Sequence, residues 1–351
     1  MSRITPYEPG PPVETLEAQL GHPIIRLSAN ESPLGPSPRA MAAIKAELPR
    51  LHLYPDGGAR ELREALAKHL GVRSDAIVLG NGADELIGLF ALAALEPGDE
   101  VIIPRPSFEP YATAATLAGT TIVWVPLKDY RIELEDCLRA LTERTKVMFL
   151  CNPHNPTGTI FRKPEWESFL GRLHDPPFVI LDEAYRDFAD DPECPDGIDS
   201  LARCSTLIIL RTFSKIAGLA GLRIGYAIAG ESVIAMLERV RAPYNINRPA
   251  QVAALAALRD QAHSERTRAL VREERVFLSE AFRRLGWRVV PSQTNFLLVE
   301  IGSRGEAYRE RCRQAGILVR DGAAVGYPGH LRISVGTRSQ NEALLAALAG
   351  C

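Results

Sequence analysis

Lys215 sits among residues that suit covalent chemistry. The run Leu210-Arg211-Thr212-Phe213-Ser214-Lys215 ends a β-branched stretch with two hydroxyls and a lone lysine. A small-residue loop, Ile216-Ala217-Gly218-Leu219-Ala220-Gly221-Leu222, then leads to Arg223. Hydroxyls and a guanidinium suit a phosphate, and a lysine of lowered pKa forms an imine with an aldehyde. The bland alternative is a solvated surface lysine.

Three further runs carry candidate groups. Asp182-Glu183-Ala184-Tyr185 follows the apolar stretch Phe178–Leu181, so a carboxylate stands at the edge of a core, where it needs a cationic partner unless it caps a helix. Cys151-Asn152-Pro153-His154-Asn155-Pro156-Thr157-Gly158 is a loop stiffened by two prolines. It offers Asn155 as a hydrogen-bond donor, against a plain Asn-Pro turn. His154 has no second His or Cys at ligand spacing, so no metal is expected. Gly80-Asn81-Gly82-Ala83-Asp84-Glu85 places a glycine turn before a helical pattern, where free N–H groups can hold phosphate. Glu85 stands where a dinucleotide fingerprint has its third glycine, and no G-K-[ST] follows for a P-loop.

The elements that position these runs form an alternating pattern. Short β-branched stretches, Ala76–Leu79, Glu100–Ile103, Thr121–Val125, Lys146–Leu150, Phe178–Leu181, Thr206–Leu210 and Tyr226–Ala229, alternate with helical ones. That alternation predicts an α/β fold with a largely parallel sheet and helices on both faces. Ligands in such sheets gather at the carboxyl ends of the strands, where all four runs lie. Ile4–Pro12, with four prolines, predicts an extended arm, and Arg39–Leu48 a helix. After Pro249 the proline-free stretch Gln251–Leu285 predicts a long helical region bridging to a second unit, with strands at Thr294–Glu300 and Leu331–Val335 and a helix near Gly305–Ala315.

Composition bounds the partners. The 351 residues exceed one ordinary core, so two domains are expected. Lys plus Arg (41) nearly balance Asp plus Glu (43), which gives no field drawing the surface to nucleic acid or anionic lipid. A small-molecule partner is expected instead. The six cysteines are scattered, with no C-x-x-C pair, which suits a reducing cytoplasm. The longest apolar run, Ile87–Leu95, is too short to span a bilayer, and the proline-rich start lacks a signal core, so no membrane association is expected.

Taken in order, the runs resemble the aspartate aminotransferase superfamily of pyridoxal-phosphate enzymes, and within it the histidinol-phosphate aminotransferase family. The likeness adds Pro6-Tyr7-Glu8-Pro9-Gly10, Ala29-Asn30-Glu31, Tyr54-Pro55-Asp56 and Leu331-Arg332-Ile333-Ser334-Val335-Gly336-Thr337 to the runs above. It implies the fold type I architecture: a mostly parallel seven-stranded sheet flanked by helices, with a smaller α+β domain. On that basis 1–30 is an arm and the start of the small domain, 31–260 the large cofactor-binding domain, and 261–351 the small C-terminal domain.

The resemblance also implies roles. Lys215 holds the aldehyde of pyridoxal 5'-phosphate and serves as acid and base, Asp182 pairs with the ring nitrogen, and Asn155 and Tyr185 bond the phenolic oxygen. Phe108 stacks on the ring. Ala83, Asp84, Thr212, Ser214 and Arg223 grip the phosphate, with Tyr54 reaching in from the second subunit of a homodimer. Arg332, Arg320, Tyr7 and Asn30 face the substrates, histidinol phosphate and glutamate or 2-oxoglutarate, in a two-step ping-pong cycle. Ser28, where many relatives carry Asn, and Ile216-Ala217 depart from the family's pattern. An aromatic amino-acid aminotransferase and a phospho-amino-acid decarboxylase on the same fold remain alternatives, and a nucleotide-dependent dehydrogenase is the rival from another class.

Overall fold

A computed structural model describes residues 13–173 and 177–349. The arm at Ile4–Pro12, and Tyr7 with it, lie outside the described residues. Seven strands form the larger sheet: β2 (Ile77–Gly80), β3 (Glu100–Arg105), β4 (Thr121–Pro126), β5 (Thr145–Cys151), β6 (Phe178–Asp182), β7 (Leu207–Thr212) and β8 (Gly225–Ala229). Their order is β2-β8-β7-β6-β5-β3-β4, and β8 alone runs against its neighbours.

The central strands are apolar on both faces, as strands covered by helices on each side must be. Alternate residues serve opposite cores: Leu79, Met148, Leu150, Val179, Leu181 and Ile209 pack on one side, and Val78, Val147, Phe149, Ile180, Ile208 and Leu210 on the other. Helices Arg60–Leu70, Lys163–Gly171 and Arg248–Leu258 cover the first face, and Ala83–Ala94, Glu109–Leu117 and Glu231–Val240 the second. Edge strand β4 is half-exposed, with Arg105 stacked over Trp124 at 4.9 Å.

A smaller five-stranded sheet has the order β1-β11-β12-β10-β9, from β1 (Ile25–Leu27), β9 (Arg288–Val289), β10 (Phe296–Glu300), β11 (Ile317–Asp321) and β12 (His330–Ser334). Leu278 and Phe282 of helix Gln261–Arg284 and Tyr308, Cys312, Leu344 and Leu348 of two later helices pack into its core. The long helical region expected over Gln251–Leu285 consists of two helices, Arg248–Leu258 and Gln261–Arg284. Asp260 leaves helical dihedrals (φ −104, ψ 62) and becomes the N-cap of Gln261–Arg284, its carbonyl accepting from His263 N–H at 3.1 Å. Neither Pro nor Gly marks this break, and the Asp260 side chain makes no cap hydrogen bond; the backbone turn at Arg259 and Asp260 separates the two helices.

Strand direction explains why the chemical runs meet. Strands β3, β5, β6 and β7 are parallel, so their carboxyl ends share one edge. Strand β2 pairs antiparallel with β8, and β8 antiparallel with β7, which returns the end of β2 to that edge. In register, Gly80 and Thr212 both stand opposite Gly225. The larger sheet thus delivers the Gly80, Pro106, Asn152, Glu183 and Phe213 loops to one rim.

Candidate active site

At this rim Lys215 is half-buried, its Nζ donating to the Ala29 carbonyl at 3.3 Å and lying 5.6 Å from the Tyr185 ring centre. Burial first, then Arg332 and Arg223, outweigh the carboxylates of Glu31 and Asp84, and its pKa is pulled down to about 8.

Asp182 is buried at the end of β6. Its Oδ2 accepts from the Tyr111 hydroxyl at 2.5 Å and its Oδ1 from Ala184 N–H at 3.0 Å. No guanidinium or ammonium bonds it among the described residues. Burial therefore pushes its pKa up to about 6, against the lowering effect of Tyr111 and Ala184.

The Gly82 turn and Arg223 form a cradle. Gly82 adopts φ +84, and a Cβ there would stand 2.5 Å from Arg223 Nη2, so only glycine leaves the guanidinium its place. Gly225 similarly admits Ala83 N, which an added Cβ would meet at 2.7 Å. Arg223, itself left-handed at φ 53, donates to Asp84 at 3.2 Å and to Ser214 Oγ at 3.5 Å. Helix Ala83–Ala94 begins here with no side-chain cap, leaving the N–H groups of Ala83 and Asp84 to an anion. Glu85, the residue that broke the dinucleotide pattern, turns back to accept Asn81 N–H at 2.5 Å and Asn245 Nδ2 at 2.6 Å. The Thr212 hydroxyl is engaged within its own loop, accepting from Ser214 N–H at 3.0 Å and donating to Ile224 O at 3.4 Å.

The smaller sheet supplies the opposite wall. Arg332 on β12 is buried and donates through Nη1 to Asn155 Oδ1 at 2.7 Å and through Nη2 to Ser28 O at 3.0 Å. Its Nε has no hydrogen-bond partner among the described residues. Arg320 on β11 stands directly opposite in the ladder. Burial leads the lowering of the Arg332 pKa, with Arg320 adding to it and Tyr185 opposing. Because a guanidinium only donates, the oxygen of Asn155 must face Arg332, which turns its NH2 outward. Asn30 donates to the Tyr185 hydroxyl at 3.0 Å, so Lys215, Tyr185, Asn30, Asn155 and Arg332 are brought together.

Phe108 is half-buried beside Tyr111, ring centres 5.5 Å apart. Tyr54 is elsewhere: it is 80% exposed, stacks on Tyr244 at 4.8 Å, and makes no hydrogen bond to the Gly82–Arg223 group among the described residues. His154 is buried with Nε2 3.0 Å from Pro106 O, and burial pulls its pKa down to about 4. Among the described residues no three His, Cys, Asp or Glu side chains converge on a metal-sized site.

Reading from sequence missed Tyr111, Ser334 and Asn295. Tyr111 had one signal, a lone phenol three residues after Phe108 on an alanine-rich helix; Ser334 shares a strand face with Arg332, two residues away. Asn295, which donates to the Asn30 carbonyl at 3.0 Å, had none.

A lysine amine of lowered pKa, a buried carboxylate without a cation and an anion cradle, all on the rim of a mostly parallel sheet, define the lysine-anchored, imine-forming α/β enzymes. The chain belongs to the aminotransferase class I and II family, which residues 22–348 match. It is 44% identical to a histidinol-phosphate aminotransferase of Symbiobacterium thermophilum, over 99% of this chain and 97% of the relative. It is 42% identical to another of Moorella thermoacetica, over 98% and 90%. The crystal structure of the Sinorhizobium meliloti histidinol-phosphate aminotransferase in complex with pyridoxal-5'-phosphate superposes with a TM-score of 0.90 at 31% identity, covering 100% of this chain and 97% of that one. That of Clostridium acetobutylicum superposes at 0.86 and 27% identity, covering 93% and 98%.

The residues fit pyridoxal phosphate. The Gly82 cradle, which a Cβ would fill, takes an anion; Asp182 lacks a cation and a pyridinium supplies one; Lys215 is held where its amine is partly free.

Proposed function

We propose that the chain is a pyridoxal-phosphate aminotransferase that passes an amino group between histidinol phosphate and 2-oxoglutarate, yielding imidazole acetol phosphate and glutamate. The observation that carries the chemistry is the pairing of a lysine whose pKa is brought down to about 8 with a buried carboxylate that has no cation of its own. The names of the full-length relatives support the substrate.

When bound, pyridoxal phosphate supplies an aldehyde for imine formation and a protonated ring that takes up electrons as a C–H bond breaks. Asp182 holds the proton on the ring nitrogen. A cation brought against it lowers its pKa by about 1 to 3 units, returning it to the carboxylate form that this task requires. Lys215, partly unprotonated near pH 8, is the nucleophile toward the aldehyde. Freed of the aldehyde, its Nζ would take the proton from the substrate Cα as general base and hand it, as general acid, to the former aldehyde carbon.

Tyr185 and the outward NH2 of Asn155 bind the phenolic oxygen. Arg223, Ser214, Thr212 and the N–H groups of Ala83 and Asp84 bind the phosphate, and Phe108 packs on the ring. Arg332, whose Nε has no partner among the described residues, and Arg320 bind the anionic group of either substrate, a carboxylate or a phosphate. Asn30 and Tyr7 complete that side. One pocket serving both substrates in turn gives ping-pong kinetics.

Steady-state rates with histidinol phosphate and with phenylalanine, each against 2-oxoglutarate, test the substrate. We expect kcat/KM for histidinol phosphate to be larger by about tenfold or more. A larger value for phenylalanine makes the enzyme an aromatic amino-acid aminotransferase; carbon dioxide release without a keto product makes it a decarboxylase.

A homodimer completes the site on this reading. Tyr54 at 80% exposed, Leu51 at 54% and Leu53 at 50% form an apolar face with Tyr244, more than isolated surface residues account for. Tyr54 of one copy would reach the phosphate cradle of the other. Sedimentation at twice the monomer mass is expected, and a fully active monomer would remove the assignment. Sheet membership supports a large domain over 31–260 and a smaller one built from the residues after 260 together with β1, which pairs with β11. Cys137, Cys151, Cys194 and Cys204 are buried free thiols, which suits the cytoplasm, and no helix among the described residues is long and apolar enough to cross a membrane.

A further inference from the structure

Beside the site, three hydrogen bonds run in one consistent direction. The Asn30 backbone N–H lies 2.8 Å from Ser334 Oγ, and an amide N–H only donates, so the serine oxygen accepts there. The hydroxyl proton then goes to Asn30 Oδ1 at 3.2 Å. With its oxygen engaged, the Asn30 amide presents Nδ2 to Tyr185 Oη at 3.0 Å. Tyr185 accepts, and its single proton points away from Asn30.

The frame around this chain of bonds is rigid. Asn30, Tyr185 and Ser334 are all buried, and Asn30 is held left-handed at φ 57. Asn295 Nδ2 donates to the Asn30 carbonyl at 3.0 Å and anchors the chain just after Asn30.

We propose that Ser334 is a positioning residue that, through Asn30, directs the Tyr185 proton into the site and makes the phenol a donor there. The proposal rests on the reading that Tyr185 meets the phenolic oxygen of pyridoxal phosphate. With the Asn30 amide reversed, its oxygen would take the Tyr185 proton, and the phenol would offer the oxyanion only lone pairs. The Ser334 hydroxyl disfavours that reversal: it already accepts from the Asn30 backbone, and a reversed amide would take away Oδ1, the acceptor of its proton.

A double-mutant cycle reads this directly. The affinity of the apoprotein for pyridoxal phosphate is measured by absorbance titration for wild type, Ser334→Ala, Tyr185→Phe and the double variant. Ser334→Ala is expected to weaken binding by about fivefold in the wild-type background, the worth of one hydrogen bond. In Tyr185→Phe, with no proton to aim, the same change should cost less than about twofold. An equal loss in both backgrounds, or none in either, overturns the proposal. Ser334→Thr keeps the hydroxyl and should stay within about twofold of wild type; a loss as large as that of alanine would show that packing, not proton direction, matters. Failure of wild type to bind pyridoxal phosphate would be a different result, removing the functional reading and the relay with it.

Discussion

Asp182 and Glu183 are adjacent, both are buried, and their surroundings are opposite. Glu183 faces away from the site into a closed set: its Oε2 accepts from Arg211 Nε at 2.9 Å and its Oε1 from Gly197 N–H at 2.7 Å, while Arg211 also donates to Asp196 at 2.6 Å. Asp182 faces the site with only a phenol and one backbone N–H. A buried carboxylate that is fully matched holds loops together; one left without a cation awaits a ligand. Lys215 belongs with Asp182, since burial lowers its pKa and no carboxylate bonds its amine among the described residues.

The largest effect expected is at Lys215. Lys215→Ala should lower turnover by about 10⁴-fold or more, because nucleophile and proton carrier go together. The fold should not suffer. The Lys215 pKa is about 8 in the folded chain and 10.5 as an unperturbed side chain, so its contribution to stability is lost as pH falls through 8. At pH 7 the variant apoprotein should therefore be no less stable than wild type by urea unfolding, and retained turnover would break the comparison outright.

Glu183→Gln should do the reverse. It leaves Arg211 buried with Asp196 alone, and breaking a buried pair costs about 3 to 5 kcal/mol, the lower figure applying here because one carboxylate remains. Urea unfolding measures it; an unchanged midpoint would mean that the closed set holds nothing together.

Asp182→Asn sharpens the contrast. The folded pKa of Asp182, about 6, lies above the ordinary 3.8, so its contribution to stability is full below 3.8 and is lost as pH rises through 6. The asparagine apoprotein should be more stable than wild type at pH 8 by up to about 3 kcal/mol, with the gap closing toward pH 4. Turnover should fall at the same time. A destabilised asparagine variant at pH 8 would place Asp182 with Glu183 as scaffold.

Much of this contrast was legible in the chain and part was not. The seven apolar stretches and the rim runs were readable because a doubly covered sheet needs near-continuous apolar strands and its loops carry the polar groups. Which of Asp182 and Glu183 faces the site came from the family resemblance alone, which gave the ring nitrogen to Asp182; by residue type an acid pair after a strand reads alike until Arg211 and Gly197, 28 and 14 residues on, are seen to close around one of them. Strands β1 and β11 escaped notice because three and five residues with partial burial give too short a period to read. The helix break at Asp260 escaped because capping geometry, not composition, ends the helix.

Tyr111→Phe is the smallest and most local change, and it asks whether the phenol is part of the site or only of the core. Tyr111 is buried against Phe149, ring centres 4.7 Å apart, so phenylalanine should pack in its place with little loss of apolar contact. What goes is the donor to Asp182 Oδ2. That bond stabilises the carboxylate form, so without it the Asp182 pKa should move further up, by about one unit for one net hydrogen bond of roughly 1.4 kcal/mol. The stability cost should accordingly be about 1 to 2 kcal/mol at pH 8 and smaller at pH 5, where Asp182 is protonated in both proteins. Carbon-13 NMR of labelled aspartate in the apoprotein follows the titration. An Asp182 midpoint that stays near 6 would confine Tyr111 to packing and leave the Ala184 N–H as the only bond of consequence to that carboxylate.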